Sequence, residues 1–476
     1  MRQDVTGLWT DKYEFTMAQA YVQDNVHERP ACFDYFFRKM PFGGGYVVFA
    51  GLGDVLKGLE AFRFDDAAID FLRDQNFSSR FLDYLSDFRF GGTVHAAREG
   101  EIVFANEPVL RVEGTLLEAQ LVETLILNIL NFQSLIATKA ARMRYVAGPE
   151  KILSDFGFRR AHGAGGLAAA RAAIVGGFNS TSNMVAAQQY DLAASGTMAH
   201  SFVQSYDDEL TAFRVFAASC PEHCVLLVDT YDTLNSGLPN AIRVAKEMEA
   251  RKQKLLGIRL DSGDLAYMAT QSRTMLDQAG LAYVKIAASS QLDEHLIRSL
   301  LQQNAPIDLF GVGTQLVIGA PDAALDGIYK LSMSDDKPRL KISDSLSKVT
   351  LPGIKKIIRY ADADGLFQAD AIVLNEEGSP GRMYHPAEPL KSLDLSALKG
   401  EEILLKAMDK GRIVEKDRSA AACADYVRQR FAQLPAEHKR FENPHIYKVG
   451  LSRALKMLRD DMISHYRGNA AQDSRL

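Results

Sequence analysis

The chain is poor in cysteine. Four thiols in 476 residues cannot form a disulfide framework, and they suit a reducing compartment. The opening residues, Met1 to Thr6, contain no apolar core of the kind a secretory signal needs. Long uninterrupted apolar runs are also missing. The richest stretch, Leu121 to Ala137, is broken by Glu123, Asn128, Asn131 and Gln133, whereas a membrane helix needs roughly 18 apolar residues in a row. Charge of one sign is not in excess either. Lys and Arg total 55 against 60 Asp and Glu, a formal net charge of −5, which gives no footprint for nucleic acid. There is no low-complexity linker. These absences point to a cytosolic protein without membrane or nucleic-acid partners. The composition, 47% hydrophobic and 24% charged, is that of a globular chain with room for two or three domains.

What is present is a rhythm. Seven times between Lys151 and Gln315 a short apolar run stops at hydroxyl, carboxylate, histidine or glycine residues, with strand ends expected at Asp155, Phe178, Ala199, Asp229, Asp261, Ala288 and Val312. The two sharpest examples, ending at Asp229 and Asp261, are about thirty residues apart, one strand–helix unit of a (β/α) barrel. Helical patterns fill the intervals, over 167–175, 236–252, 265–279 and 291–302. Strand–helix alternation predicts a parallel sheet, and seven units in one run favour an irregular barrel over an open doubly wound sheet. Before this region, residues 1–147 read as an α+β domain: a helix capped at Thr10 or Asp11, strands at 31–37 and 46–49, three short strands from 93 to 112, and a long helix over 117–146. The barrel is expected over 148–349. Residues 350–476 mix β segments with helices at 420–434 and 451–467, then a polar tail from Gly468 expected to fray.

In a (β/α) barrel the chemistry sits where strands end. After the first such strand come Phe156, Arg159 and Arg160, a stacking face with guanidinium forks that suits a planar anion; a surface arginine pair covering a helix is the plain alternative. Gly177 followed by Ser180 and Ser182 can present backbone N–H groups to an anion or can simply cap a helix. His200 at an expected strand end could act as base, metal ligand or phosphoryl acceptor, although a lone histidine is more often structural. Asp229, Asp232, Asp261 and Asp264 could hold Mg²⁺ with substrate phosphates, hold ribose hydroxyls or stabilise a developing cation. Helix capping accounts for at least one of them, most plausibly Asp264. Gly311, Gly313 and Thr314 form a loop placed where barrels of this kind bind phosphate. Lys341 and Lys348 could extend an anion site, or line a solvated edge. Cys220, His223 and Cys224 lack a second pair at zinc spacing and carry no metal expectation.

Taken in order, the segments Thr10–Met17, Asp155–Ala161, Gly196–Ser201, Asp229–Asp232, Arg259–Asp264, Phe310–Thr314 and Lys348–Gly353 resemble nicotinate phosphoribosyltransferase. The resemblance implies an irregular α/β barrel beside an α/β sandwich built from both chain ends, working as a homodimer with shared sites. It implies synthesis of nicotinate mononucleotide and pyrophosphate from nicotinate and phosphoribosyl pyrophosphate in NAD salvage, with Mg²⁺ and with ATP hydrolysed through a phosphohistidine at His200. Phe156 and, from the other subunit, Tyr13 match the rings that sandwich the pyridine; Arg159 matches the arginine facing nicotinate. Asp229, Arg259 and Asp261 match the group around ribose and pyrophosphate, with Asp229 or Asp261 as possible metal ligands. Gly311, Gly313 and Thr314 match the loop at the 5′-phosphate. The nicotinamide-using relative carries an aspartate in the loop where this chain has Ser180 and Ser182, so it is the runner-up. A non-catalytic nucleotide-binding paralogue and a generic Mg²⁺-dependent phosphate-ester hydrolase are further alternatives.

Overall fold

The computed structural model of the chain describes residues 6–343, 348–416 and 418–473. It divides into two compact units, one of Met1–Leu135, Ala324–Arg418 and Asp425–Leu476, the other of Ile136–Ala323 with Ser419–Ala424. The division falls inside the helix Glu123–Ala147.

The first unit draws on both chain ends. Its seven-stranded sheet places Pro30–Phe37 between Gly327–Ser334 and Leu110–Thr115, and extends to Thr93–Ala96 on one side and Lys337–Pro338 on the other. Leu405–Asp409 and Arg412–Ile413 complete it. The first of these strands is buried almost throughout because both of its neighbours are central. A second sheet of six strands centres on Lys355–Ala361 and Phe367–Leu374. Helix Lys12–Gln23 begins after Asp11, and the turn at Thr115 is locked by a reciprocal capping box with Glu118.

The stretch Leu116–Ala147, two consecutive helices, is long and apolar enough by composition to cross a membrane, which reading the sequence for unbroken apolar runs had not shown. Leu117, Leu121, Leu125, Ile126 and Leu130 are instead part of the core of the first unit. The C-terminal helix Arg453–Asp473 runs past Gly468, where a frayed tail was expected.

The second unit holds the parallel sheet. Its order is Ser180–Thr181, Ile152–Asp155, Leu309–Val312, Lys285–Ser289, Gly257–Leu260, Val225–Leu227, with every pairing parallel. The first strand in sequence thus pairs with the last. The architecture is mixed α/β as expected, but the ladder is not a closed ring: Ser180–Thr181 and Val225–Leu227 are its edges. The strand expected to end at Ala199 does not form. Only Thr181 and Ala194 join there by a parallel bridge, because Ala193 to Gly196 have no β-branched side chain to pack on a pleated surface. The strand expected to end at Phe178 instead lies at Ser180–Thr181. Helices Gly165–Val175, Leu238–Ala250, Leu265–Gln278 and Glu294–Gln302 alternate with the strands.

Candidate functional site

Four of the six parallel strands, with the loops that follow them, converge on a cavity of about 140 Å³. The first strand contributes Phe156, Arg159 and Arg160; Gly257–Leu260 contributes Arg259 and Asp261; Lys285–Ser289 contributes Ser289, Ser290 and Gln291; the last strand contributes Gly311, Gly313 and Thr314. A larger cavity of about 450 Å³ lies wholly in the first unit, among residues such as Phe36, Leu331, Leu351 and Tyr447. It contains none of the strand-end residues, so size does not decide where the chemistry is.

Each wall of the smaller cavity has a local cause. Asp155 is buried; its Oδ1 accepts from the Gly157 N–H (2.8 Å) and its Oδ2 from the Thr181 hydroxyl (2.7 Å). Burial raises its pKa, and these two donors oppose the rise. The carboxylate thereby sets the turn Phe158–Arg160, on which Arg159 is exposed. The Phe156 ring lies beneath Arg259, whose Cζ is 5.4 Å from the ring centroid. Gly311 backs that ring: a Cβ there would approach Phe156 Cε2 to 2.3 Å, so only glycine lets strand and ring meet.

The acidic residues form one connected group. Asp229 Oδ2 accepts from the Asp261 N–H (3.0 Å) and the Ser262 hydroxyl (2.6 Å), while Asp229 Oδ1 is buried without a hydrogen-bond partner. Asp261 Oδ1 accepts from Ser289 and lies 3.2 Å from Arg259 Nη2. His200 opens the short helix His200–Gln204; its Nε2 is 3.8 Å from Asp261 Oδ2 and its Nδ1 is 3.3 Å from Thr230 Oγ1. The two outer aspartates have a different task. Asp232 accepts from the N–H groups of Leu234 and Asn235, and Asp264 from that of Tyr267, so both cap helical turns.

Three comparisons bear on what this arrangement belongs to. The family model described as nicotinate phosphoribosyltransferase (NAPRTase) family matches residues 152–348, flanked by matches to that family's N-terminal domain over 8–131 and C-terminal domain over 354–459. The chain is 43% identical over 462 residues to a nicotinate phosphoribosyltransferase of Bacillus subtilis (strain 168), spanning 95% of this chain and 94% of the relative. The chain belongs to the nicotinate phosphoribosyltransferase family. A relative in Mycobacterium tuberculosis, nicotinate phosphoribosyltransferase pncB2, is 42% identical over 95% of this chain and 93% of its own. The crystal structure of human nicotinic acid phosphoribosyltransferase superposes with a TM-score of 0.85 at 32% identity, covering 95% of this chain and 99% of that one.

Not every residue expected at a family site is gathered in the cavity. Ser180 is buried and bonds to Ser154 (3.0 Å) and Ser195 (2.8 Å), a closed group of three hydroxyls. Ser182 is half-buried, and its N–H donates to the Asp155 carbonyl (2.8 Å). Tyr13, Lys341 and Lys348 belong to the first unit. Tyr13 exposes its ring on helix Lys12–Gln23; the Lys341 N–H donates to Thr350 Oγ1 (2.8 Å), and the Lys348 carbonyl accepts from Arg38 (3.2 Å). Residues 344–347 between the two lysines lie outside the described ones. Reading the sequence missed Thr197, Thr230 and the run Ser289 to Gln291. The last carried the same signature as the others, hydroxyl residues directly after an apolar strand, but the strand was expected to stop at Ala288 and runs one residue further. Ser290 and Gln291 take positive φ, 88° and 35°, the left-handed backbone that clusters at working loops.

Proposed function

We propose that the chain is an enzyme of NAD salvage that joins nicotinate to the ribosyl group of phosphoribosyl pyrophosphate, giving nicotinate mononucleotide and pyrophosphate. The observation that carries this is the convergence of the Phe156 ring, the guanidinium groups of Arg159, Arg160 and Arg259 and the Asp261 carboxylate on one cavity, with Asp229 joined to Asp261 behind it, within a chain of this family. The pyridine nitrogen attacks the anomeric carbon; the bond from that carbon to pyrophosphate breaks, and its electron pair leaves with pyrophosphate. Positive charge develops on the sugar, where Asp229 and Asp261 stabilise it, while Arg259 faces the departing anion. Phe156 supplies the ring platform and Arg159 the cation for the nicotinate carboxylate. Gly311, Gly313 and Thr314 receive the 5′-phosphate through backbone N–H groups and a hydroxyl.

Mg²⁺ fits this chemistry. The buried Oδ1 of Asp229 lacks a partner, and no group of three His, Cys, Asp or Glu side chains is assembled for a metal among the described residues. Such a site matches an ion held by one or two carboxylates and completed by substrate phosphates. Asp229 and Asp261 would hold it, and when bound it would neutralise pyrophosphate charge. We assign His200 as the acceptor of a phosphoryl group from ATP. Thr230 Oγ1 lies 3.3 Å from Nδ1, and in the tautomer that carries the proton on Nδ1 the Nε2 lone pair is the one that attack requires. The protein works as a homodimer in this reading. Phe158, Met184, Tyr231 and Tyr267 leave large apolar surfaces exposed on or just after the loops of the second unit, and Tyr13 supplies the second ring in the partner's site. Four free thiols accord with a cytoplasmic location.

Incubation with nicotinate, the donor and MgATP should yield mononucleotide and ADP together, with phosphohistidine detected by mass after brief exposure to ATP. His200→Ala should lose the phosphoenzyme and the ATP coupling while retaining slow nucleotide formation. Undiminished phosphoenzyme in that variant removes the His200 assignment. Preference for nicotinamide, or no product at all, removes the reaction.

A further inference from the structure

His200 is reached by a segment that forms no strand. After the bridge at Ala194, where the Thr181 carbonyl accepts from the Ser195 N–H (2.9 Å), the chain from Gly196 to Ala199 crosses the gap between the sheet edges. A side chain holds it there. Arg259 Nη1 donates to Thr197 Oγ1 (3.0 Å) and to the Met198 carbonyl (3.3 Å). The guanidinium on strand Gly257–Leu260 thus holds the chain two and three residues before His200.

That guanidinium is itself aimed. Arg259 Nε donates to Ser289 Oγ (2.9 Å), and the same hydroxyl donates to Asp261 Oδ1. Ser289 is 3% exposed. Its oxygen is therefore acceptor for the cation and donor for the anion. Arg259 Nη2 is already within 3.2 Å of Asp261 Oδ1. Without the bridging hydroxyl, Nε loses its partner and is drawn to join Nη2 on Asp261 in a bidentate pair. Such a closure would withdraw Arg259 from Thr197 and Met198, and Asp261 from His200.

We propose that Ser289 is a positioning residue for the transfer reaction: it bridges Arg259 Nε and Asp261 Oδ1, holds the pair short of a bidentate closure, and so sets both the anion-facing guanidinium and the approach of His200. The proposal rests on the reading of His200, Arg259 and Asp261 given above. The test compares Ser289→Ala, Ser289→Thr and Arg259→Lys with the unaltered enzyme, using phosphoribosyl pyrophosphate and nicotinate as probes and phosphohistidine yield at a fixed short time with ATP. Ser289→Ala should raise KM for the donor about tenfold and lower phosphohistidine yield, with KM for nicotinate within about twofold, since the lost bonds are to charged groups. Ser289→Thr, which keeps the hydroxyl, should recover most of both. A merely structural serine would lower the melting temperature and leave these constants alone. If Ser289→Ala folds and behaves as the unaltered enzyme while Arg259→Lys disturbs both readouts, the positioning role is wrong and the site stands. If Arg259→Lys also changes neither, the site reading fails and takes the proposal with it. Should Ser289→Ala show no cooperative melt, Thr197→Val probes the same brace. Slower His200 phosphorylation at unchanged nicotinate KM supports it, and an unchanged rate overturns it.

Discussion

Gly311→Ala is the smallest change that should reach the pyridine platform. The added methyl carbon would sit 2.3 Å from Phe156 Cε2 and 2.5 Å from Cδ2. Carbon atoms rest about 3.5–4.0 Å apart, so the ring has to retreat by more than an ångström. It cannot do this by bending a flexible tail, because the obstacle is a rigid six-membered ring. Gly311 is equally fixed, paired with Ser154 on one side and Ser289 on the other. Overpacking of this kind costs about 1–3 kcal/mol. If the ring is the surface nicotinate stacks on, about that much should appear in kcat/KM for nicotinate, a loss of about 5- to 150-fold. Steady-state kinetics with nicotinate varied at saturating donor would measure it. The coupling test is a cycle with Phe156→Ala: once the ring is gone, Gly311→Ala should cost little more. An undiminished effect in the Phe156→Ala background, or normal nicotinate kinetics in Gly311→Ala, would refute the platform.

Three further outcomes follow from other parts of the chain. Glu14 is fully buried and accepts from Gln120 (2.7 Å), and burial pushes its pKa up to about 7. A raised folded-state value means its contribution to stability is complete below the unfolded value of about 4.3 and fades as pH rises through about 7. Glu14→Gln should therefore melt higher than the parent at pH 8 and alike at pH 4; equal melting at pH 8 counts against the burial argument. Arg359 is buried with its guanidinium on Asp370 (2.7 and 3.0 Å) and Glu101 (2.7 Å). Arg359→Met leaves the buried Asp370 with the Tyr447 hydroxyl but no cation, while Glu101 keeps Arg430 and Tyr426, and it should cost about 3–5 kcal/mol in urea unfolding, a loss under about 1 kcal/mol being incompatible with that network. Ser182→Asp should shift substrate preference from nicotinate towards nicotinamide by repelling a carboxylate, and an unaltered ratio of kcat/KM values would show that this residue does not read the pyridine substituent.

Much of the fold was legible because local chemistry and tertiary structure agree. Asp264 before Leu265 marks a helix start by accepting from the Tyr267 N–H. Asp11 likewise stands just before its helix, although its side chain makes no cap hydrogen bond there. The apolar runs that end in carboxylates are strands of a parallel sheet, since such strands bury both faces and only their ends meet water. The long helix expected over 117–146 is present as Leu116–Leu121 and Glu123–Ala147; scattered polar side chains break its apolar run without breaking the helix, and several of them are buried with the core.

By itself the sequence determined which residues stand at strand ends: Phe156, Arg159, Asp229, Arg259, Asp261 and Gly311 can be found by patterns a few residues long. It could not say which of them meet. That Asp229 receives the Asp261 N–H, that Ser180 turns to Ser154 and Ser195, and that Ser289 bridges Arg259 and Asp261 are decided by strand order and register. The pairing of the first parallel strand with the last, over 150 residues apart in sequence, brings Phe156 to Gly311. No local pattern encodes that neighbourhood, because it arises only when the whole sheet has assembled.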